Sequence, residues 1–184
     1  MSSKGFTLTE VLIAIVLMGL VIVTVASVDI TSRRFFGSIT KESRIQDEAK
    51  IAMEHIVKNV QLGIGDAANP GLVVSADGTT IRVQQDTNSK VGKFDANDRT
   101  IEYRYEGGPG YTIVFVQDII NDPTNTENLA EGMVVRSDIF SVGSAPNQVD
   151  VEIQARRDPA QAKSLDNPET TLTSSIVLRA MSCK

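Results

Sequence analysis

The chain has 184 residues, 41 % of them hydrophobic and 22 % charged, enough for one ordinary domain with an appendage but short for two full domains. Its formal net charge is -5, and with Lys4 and Glu10 set aside 17 basic and 22 acidic residues remain beyond residue 28, a mildly acidic balance that argues against a broad footprint for nucleic acid. A lone cysteine, Cys183, and a lone histidine, His55, exclude an internal disulfide framework and a zinc site of the Cys/His kind.

At the N-terminal end, Lys4-Gly5-Phe6-Thr7-Leu8-Thr9-Glu10 leads into Val11 to Val28, eighteen residues without a charge. As a helix rising about 1.5 Å per residue, that run is roughly 27 Å long, close to the hydrocarbon thickness of a bilayer. Its β-branched content is no obstacle, because a lone segment in lipid satisfies its backbone only as a helix. Glu10 stands at the lip of this run, where an unpaired charge costs about 3 kcal/mol. An ordinary secretory signal explains the run with a cut after Val25-Ala26-Ser27, but a carboxylate at the front of the apolar core is out of character for it. A lipoprotein signal requires a cysteine just past the run, and none stands there.

The order from Lys4 to Glu10 resembles that of type IV pilins and pseudopilins: a short polar leader ending in Gly, then Phe, then Glu at the fifth position of the mature chain. The resemblance implies that a membrane-embedded prepilin peptidase cuts after Gly5 and N-methylates the new terminus, Phe6. A residue without a side chain at the cut lets the backbone lie extended in a narrow protease groove. The resemblance also implies that the amine of Phe6 on one subunit approaches Glu10 of a neighbour, an attraction that is strong at low dielectric and would set the axial stagger between subunits. At a helix start, Glu10 also complements the N-terminal dipole. Thr9 departs from the aliphatic residue that many members carry there. The run also lacks the Pro that major pilins often have in its second half, and a Pro-free helix, less able to unwind, points to a minor pilin or a pseudopilin. Lys4 before the run is matched by Arg33 and Arg34 beyond it, so positive charge alone does not orient the span. The resemblance implies a single pass through a bacterial inner membrane, with the N-terminus cytoplasmic and the head periplasmic or extracellular, followed by entry into a filament.

Beyond Asp29 helical spacing continues, with Ala49, Ala52, Met53, Ile56 and Val60 forming one apolar stripe. Phe35, Phe36, Ile39 and Ile45 precede it less regularly. A continuous helix from Phe6 to about Leu62 would be some 85 Å long at the standard rise, with Gly63, Gly65 and Asn69-Pro70 as its stop. His55 lies beside the stripe and is read as structural.

From Leu72 the period becomes that of strands. Leu72 to Val74 and Ile81 to Val83 flank Asp77-Gly78, a hairpin signal. Further strands are predicted at 100–105, 111–116, 133–142, 148–155 and 174–181, with Ile101, Tyr103 and Tyr105, and again Val149, Val151 and Ile153, alternating with polar residues. Polar loops are predicted at 86–99, 118–131 and 156–171. The first offers Asp86, Asn88, Asp95, Asn97 and Asp98, but Lys90, Val91 and the absence of a closing Glu depart from a calcium loop, so no metal or other cofactor is expected. The class is α+β: a leader at 1–5, a transmembrane half-helix at 6–28, an amphipathic half at 29–62 and a β-rich head at 63–184, packed as an antiparallel sheet or two on the stripe.

The strand order also resembles the larger minor pilins of the PilW type and the J-type minor pseudopilin of type II secretion, through Arg82 to Asp86, Ile101 to Tyr105, Leu129 to Gly132 and Ser175 to Arg179. No triad order, phosphate loop or zinc spacing is present, so the expectation is a structural and priming subunit rather than an enzyme. The resemblance implies as partners other minor pilins or pseudopilins, the prepilin peptidase, an inner-membrane platform protein and, indirectly, an assembly ATPase. The alternative is an exported β-rich binding or adhesion module behind an ordinary signal peptide.

Overall fold

The structure, a computed structural model, describes Gly5 and residues 7–64, 71–87, 98–108, 110–144 and 148–178. The chain divides into two units, Met1–Thr40 and Lys41–Lys184. One helix, α1 (Leu8–Val60), is followed among the described residues by eight strands in two antiparallel sheets, an α+β arrangement that fits a pilin-like fold.

In the first unit the large apolar side chains from Val11 to Ile30 are exposed. By length and composition α1 suits a membrane crossing. Hydroxyls within this stretch are satisfied locally: Thr24 donates to the Leu20 carbonyl at 2.8 Å, Ser27 to that of Val23 at 2.8 Å and Thr31 to that of Ser27 at 2.8 Å. Each bond runs back four residues, which lets a hydroxyl sit in an apolar helix without an unpaired donor.

In the second unit the predicted stripe is buried in full, and Ile45 joins it. These residues share one core with Ile81, Val83, Ile101, Tyr103, Ile113, Phe115, Val149, Val151 and Ile153. The five-stranded sheet runs β1 (Leu72–Val74), β2 (Thr80–Gln85), β3 (Arg99–Glu106), β4 (Thr112–Asp118) and β5 (Asp122–Leu129) in spatial order. The three-stranded sheet runs β6 (Phe140–Val142), β7 (Gln148–Arg156) and β8 (Glu169–Val177). Alternation in β7 is complete, with Val149, Val151, Ile153 and Ala155 buried between half-buried polar neighbours.

The Asp-Gly hairpin forms as predicted, with Leu72 opposite Val83 and Val74 opposite Ile81. Its turn is built on the Asp77 carboxylate, whose Oδ1 accepts from Ser75 Oγ at 2.6 Å and from Thr79 N at 3.1 Å. Gly78 adopts φ +70°, and its carbonyl accepts from Phe140 N at 2.9 Å, tying the hairpin tip to β6. A Cβ at this position would lie 2.7 Å from the Phe140 carbonyl oxygen, so both conformation and space require glycine.

Three boundaries differ from expectation. The segment expected as a loop at 118–131 contains β5, because β4 pairs Thr126 to Leu129 in register and, past a register shift, Asp122 with Asp118, despite a composition poor in strand formers. The strand expected over 133–142 shrinks to Phe140–Val142. Upstream of it, Met133 N and Val134 N both donate to the Tyr111 carbonyl, at 3.1 and 2.9 Å, and Val134 makes only an isolated bridge to Ala155. The last strand starts at Glu169, inside the expected 156–171 loop, and ends at Val177. What remains of that loop is organised by buried Asn167, whose amide nitrogen donates to the carbonyls of Asp158 (2.9 Å), Gln161 (3.3 Å) and Ala162 (3.2 Å). Helix α1 closes with Leu62 N bonding the Asn59 carbonyl at 3.2 Å and Gly63 N that of Val60 at 3.0 Å, a tightened final turn. Gly65, Asn69-Pro70, Asn88 to Asn97, Phe6, Arg179 and Cys183 lie outside the described residues.

Candidate processing and assembly site

Thr7 and Glu10 close the start of α1 on each other. Thr7 N donates to Glu10 Oε2 at 2.8 Å, and Glu10 N donates back to Thr7 Oγ1 at 3.3 Å. The Thr7 hydroxyl also donates to Glu10 Oε2 at 2.8 Å and lies 3.1 Å from Thr9 Oγ1. The first main-chain turn follows, from Val11 N to the Thr7 carbonyl at 3.3 Å. This is a capping box, in which a threonine and a glutamate three residues on satisfy each other's free backbone donors. The Thr-x-x-Glu spacing is present in the sequence, but the charge of Glu10 is the stronger signal there and spacing alone does not show that Thr7 bonds it.

Both residues are exposed, and so is Gly5, with nothing within 4 Å of where a Cβ would stand. Gly5 stands just ahead of a helix that begins at Leu8. Chemically, the junction offers a carboxylate fixed at a helix start.

Residues 1–26 match the family model described as the prokaryotic N-terminal methylation motif. The chain is type IV pilin-like at its N-terminal end. Comparison with curated proteins and with solved structures gave no match. For a pilin-like chain, Gly5, Phe6 and Glu10 fall inside the matched segment, and the apolar helix that follows is compatible with membrane anchoring.

In the head, His55 packs rather than reaching out. Its ring stacks edge-on with Phe115 (centroids 4.8 Å apart) and Tyr103 (5.8 Å), and its Nδ1 lies 3.0 Å from the Tyr103 hydroxyl. The same hydroxyl donates to the His55 carbonyl at 3.3 Å, and Asn59 Nδ2 donates to that carbonyl at 2.9 Å. Gln85 Nε2 extends the chain by donating to the Asn59 carbonyl at 2.8 Å. Burial pushes the Tyr103 phenol far above its usual range, so it stays protonated and donating. Among the described residues no group of three or more His, Cys, Asp or Glu side chains is placed to hold a metal. Asp98, at the end of the expected acidic loop, accepts from Thr87 N at 3.0 Å.

Burial also lowers the His55 pKa, with the Glu127 charge opposing and the Lys58 charge assisting. A histidine depressed in the folded chain binds its proton more readily when unfolded. Its contribution is therefore whole above the ordinary value of about 6.5 and declines as pH falls through and below that value. The stability advantage of wild type over His55→Gln is expected to shrink between about pH 7 and pH 5, where most carboxylates remain ionised. Thermal melts of both proteins across that range check it, and a pH-independent difference would refute the assignment.

Proposed function

We propose that this chain is a minor pilin or pseudopilin, a structural and priming subunit that joins a type IV pilus or a type II secretion pseudopilus after leader cleavage and N-methylation. The reading is carried by the methylation-motif match over residues 1–26, within which Gly5-Phe6 supplies the cut and Glu10 the assembly carboxylate. It is supported by a span without Pro, unlike many major pilins, and by a head whose aromatic and polar cluster at His55 is consumed in packing. In this reading the head contributes contacts and no catalysis. The subunit waits in the inner membrane with its head outside, and is drawn by the platform protein and the assembly ATPase into contact with other minor subunits. The PilW-type and J-type pseudopilin patterns rank first among the subgroups.

Mass spectrometry of the mature protein tests this directly. The expected terminus is N-methylated Phe6, with residues 1–5 removed. A mature chain beginning near Ser27 or Val28 overturns the reading in favour of an exported module released from a signal peptide. Co-purification with pilus fibres or with secretion components then distinguishes the two machines.

A further inference from the structure

Strand β5 lies at one edge of the five-stranded sheet and pairs only with β4 among the described residues. Its register sets Val114 opposite Asn128, Phe115 opposite Glu127 and Val116 opposite Thr126. Of its eight residues, Asp122 through Asn128 are exposed and only Leu129 is buried. An edge strand of an ordinary sheet covers a core with one face; β5 covers almost nothing with either. Thr124 and Asn125 spend their side chains locally, on Asp122 at 3.0 Å and on Gln117 at 3.1 Å. What β5 presents outward is backbone, a row of donors and acceptors open to another strand.

Charge limits which strand that is. From Tyr105 to Val135 the sequence holds no Lys or Arg, while Glu106, Asp118, Asp122, Glu127 and Glu131 are acidic. Two copies joined edge to edge through β5 would bring together four carboxylates and no cation, an opposition that destabilises cross-strand pairing. Pro123 withdraws one donor near the start of the strand, where the register to β4 also shifts, and the regular stretch from Thr126 to Leu129 is left able to pair. Such features guard an edge against itself, yet they favour a strand of opposite charge.

We propose that the outer edge of β5 is a docking site for an extended segment of another protein chain bearing Lys or Arg, added as a sixth strand. Main-chain bonds give the affinity, and cations set against Asp122 and Glu127 give the selectivity. The proposal does not rest on the pilin-like reading, since it concerns the head alone.

The test uses the full chain in detergent micelles, with hydrogen exchange followed by mass spectrometry. The probe is a peptide of about ten residues alternating lysine and threonine; the controls are its glutamate counterpart and the lysine peptide N-methylated at every backbone nitrogen. At ten times its dissociation constant the lysine peptide is expected to slow exchange within residues 122–129 about tenfold. Neither control should do so, and the double variant Asp122→Lys/Glu127→Lys should transfer the effect to the glutamate peptide. Equal slowing by the N-methylated peptide would reduce the contact to charge alone and overturn strand addition. No slowing up to the solubility limit of the lysine peptide, or slowing confined to other segments, would overturn the site itself. Both results are read on the unaltered chain, so they hold even where the double variant fails to fold.

Discussion

Replacing Glu10 by alanine is expected to leave cleavage after Gly5 and methylation of Phe6 intact while removing the subunit from assembled filaments. If the carboxylate neutralises a neighbour's Phe6 amine in an apolar setting, its loss strands a charge at a cost of about 3 kcal/mol, on the order of a hundredfold in incorporation. The capping box complicates the alanine variant, because Glu10 also accepts from Thr7 N and Thr7 Oγ1. Capping of this kind is worth about 1 kcal/mol, so alanine removes two things at once. Two further variants separate them. Glu10→Gln keeps an oxygen that can accept from Thr7 but carries no charge, whereas Thr7→Ala opens the cap and keeps the carboxylate. Assembly pairing predicts that Glu10→Gln is excluded from filaments and Thr7→Ala enters them. Fractionation of sheared filaments, probed for each variant alongside a measurement of leader removal, reads both outcomes. Wild-type incorporation of Glu10→Gln would leave Glu10 with its capping role only.

How far the sequence foretold this arrangement depended on whether a residue's burial and its local pattern agreed. Ala49, Ala52, Met53, Ile56 and Val60 were legible because one helix face meets one core, so the 3.6-residue period survives intact. The alternation in β7 was legible for the matching reason in a strand. Strand β5 was not, since Asp-Pro-Thr-Asn-Thr-Glu-Asn has no apolar alternation to reveal it; its conformation comes from the ladder offered by Val114, Phe115 and Val116. Likewise Met133 and Val134 look like a strand by composition, yet Ala130 and Gly132, both with positive φ, turn the chain just ahead of them, and they are buried without forming a ladder. At the junction, the resemblance of the order Lys4 to Glu10 implies the roles of Gly5, Phe6 and Glu10, while the bond between Thr7 and Glu10 is seen only in the geometry. A capping box is a reciprocal bond, and a sequence shows only that its two ends are three residues apart.

The second large effect is expected in the head. Ile56 is fully buried in the centre of the stripe and belongs to the core shared with Ile101, Tyr103 and Ile153. Ile51, one and a half turns earlier on the same helix, is 65 % exposed. The two side chains are chemically identical and nearly equal in helix propensity context, so any difference between them measures packing. Ile56→Ala should destabilise the head by about 2–5 kcal/mol, through lost burial and the cavity left behind, and Ile56→Val by about 1 kcal/mol. Ile51→Ala should shift stability by about 0.5 kcal/mol or less. Because the chain has no Trp and only three Tyr, one of them the buried Tyr103, tyrosine fluorescence follows denaturant unfolding of the full chain in micelles without an added probe. Similar costs for Ile51→Ala and Ile56→Ala would show that the stripe does not pack on the sheets. A large gap between them would establish the C-terminal half of α1 as the spine of the head.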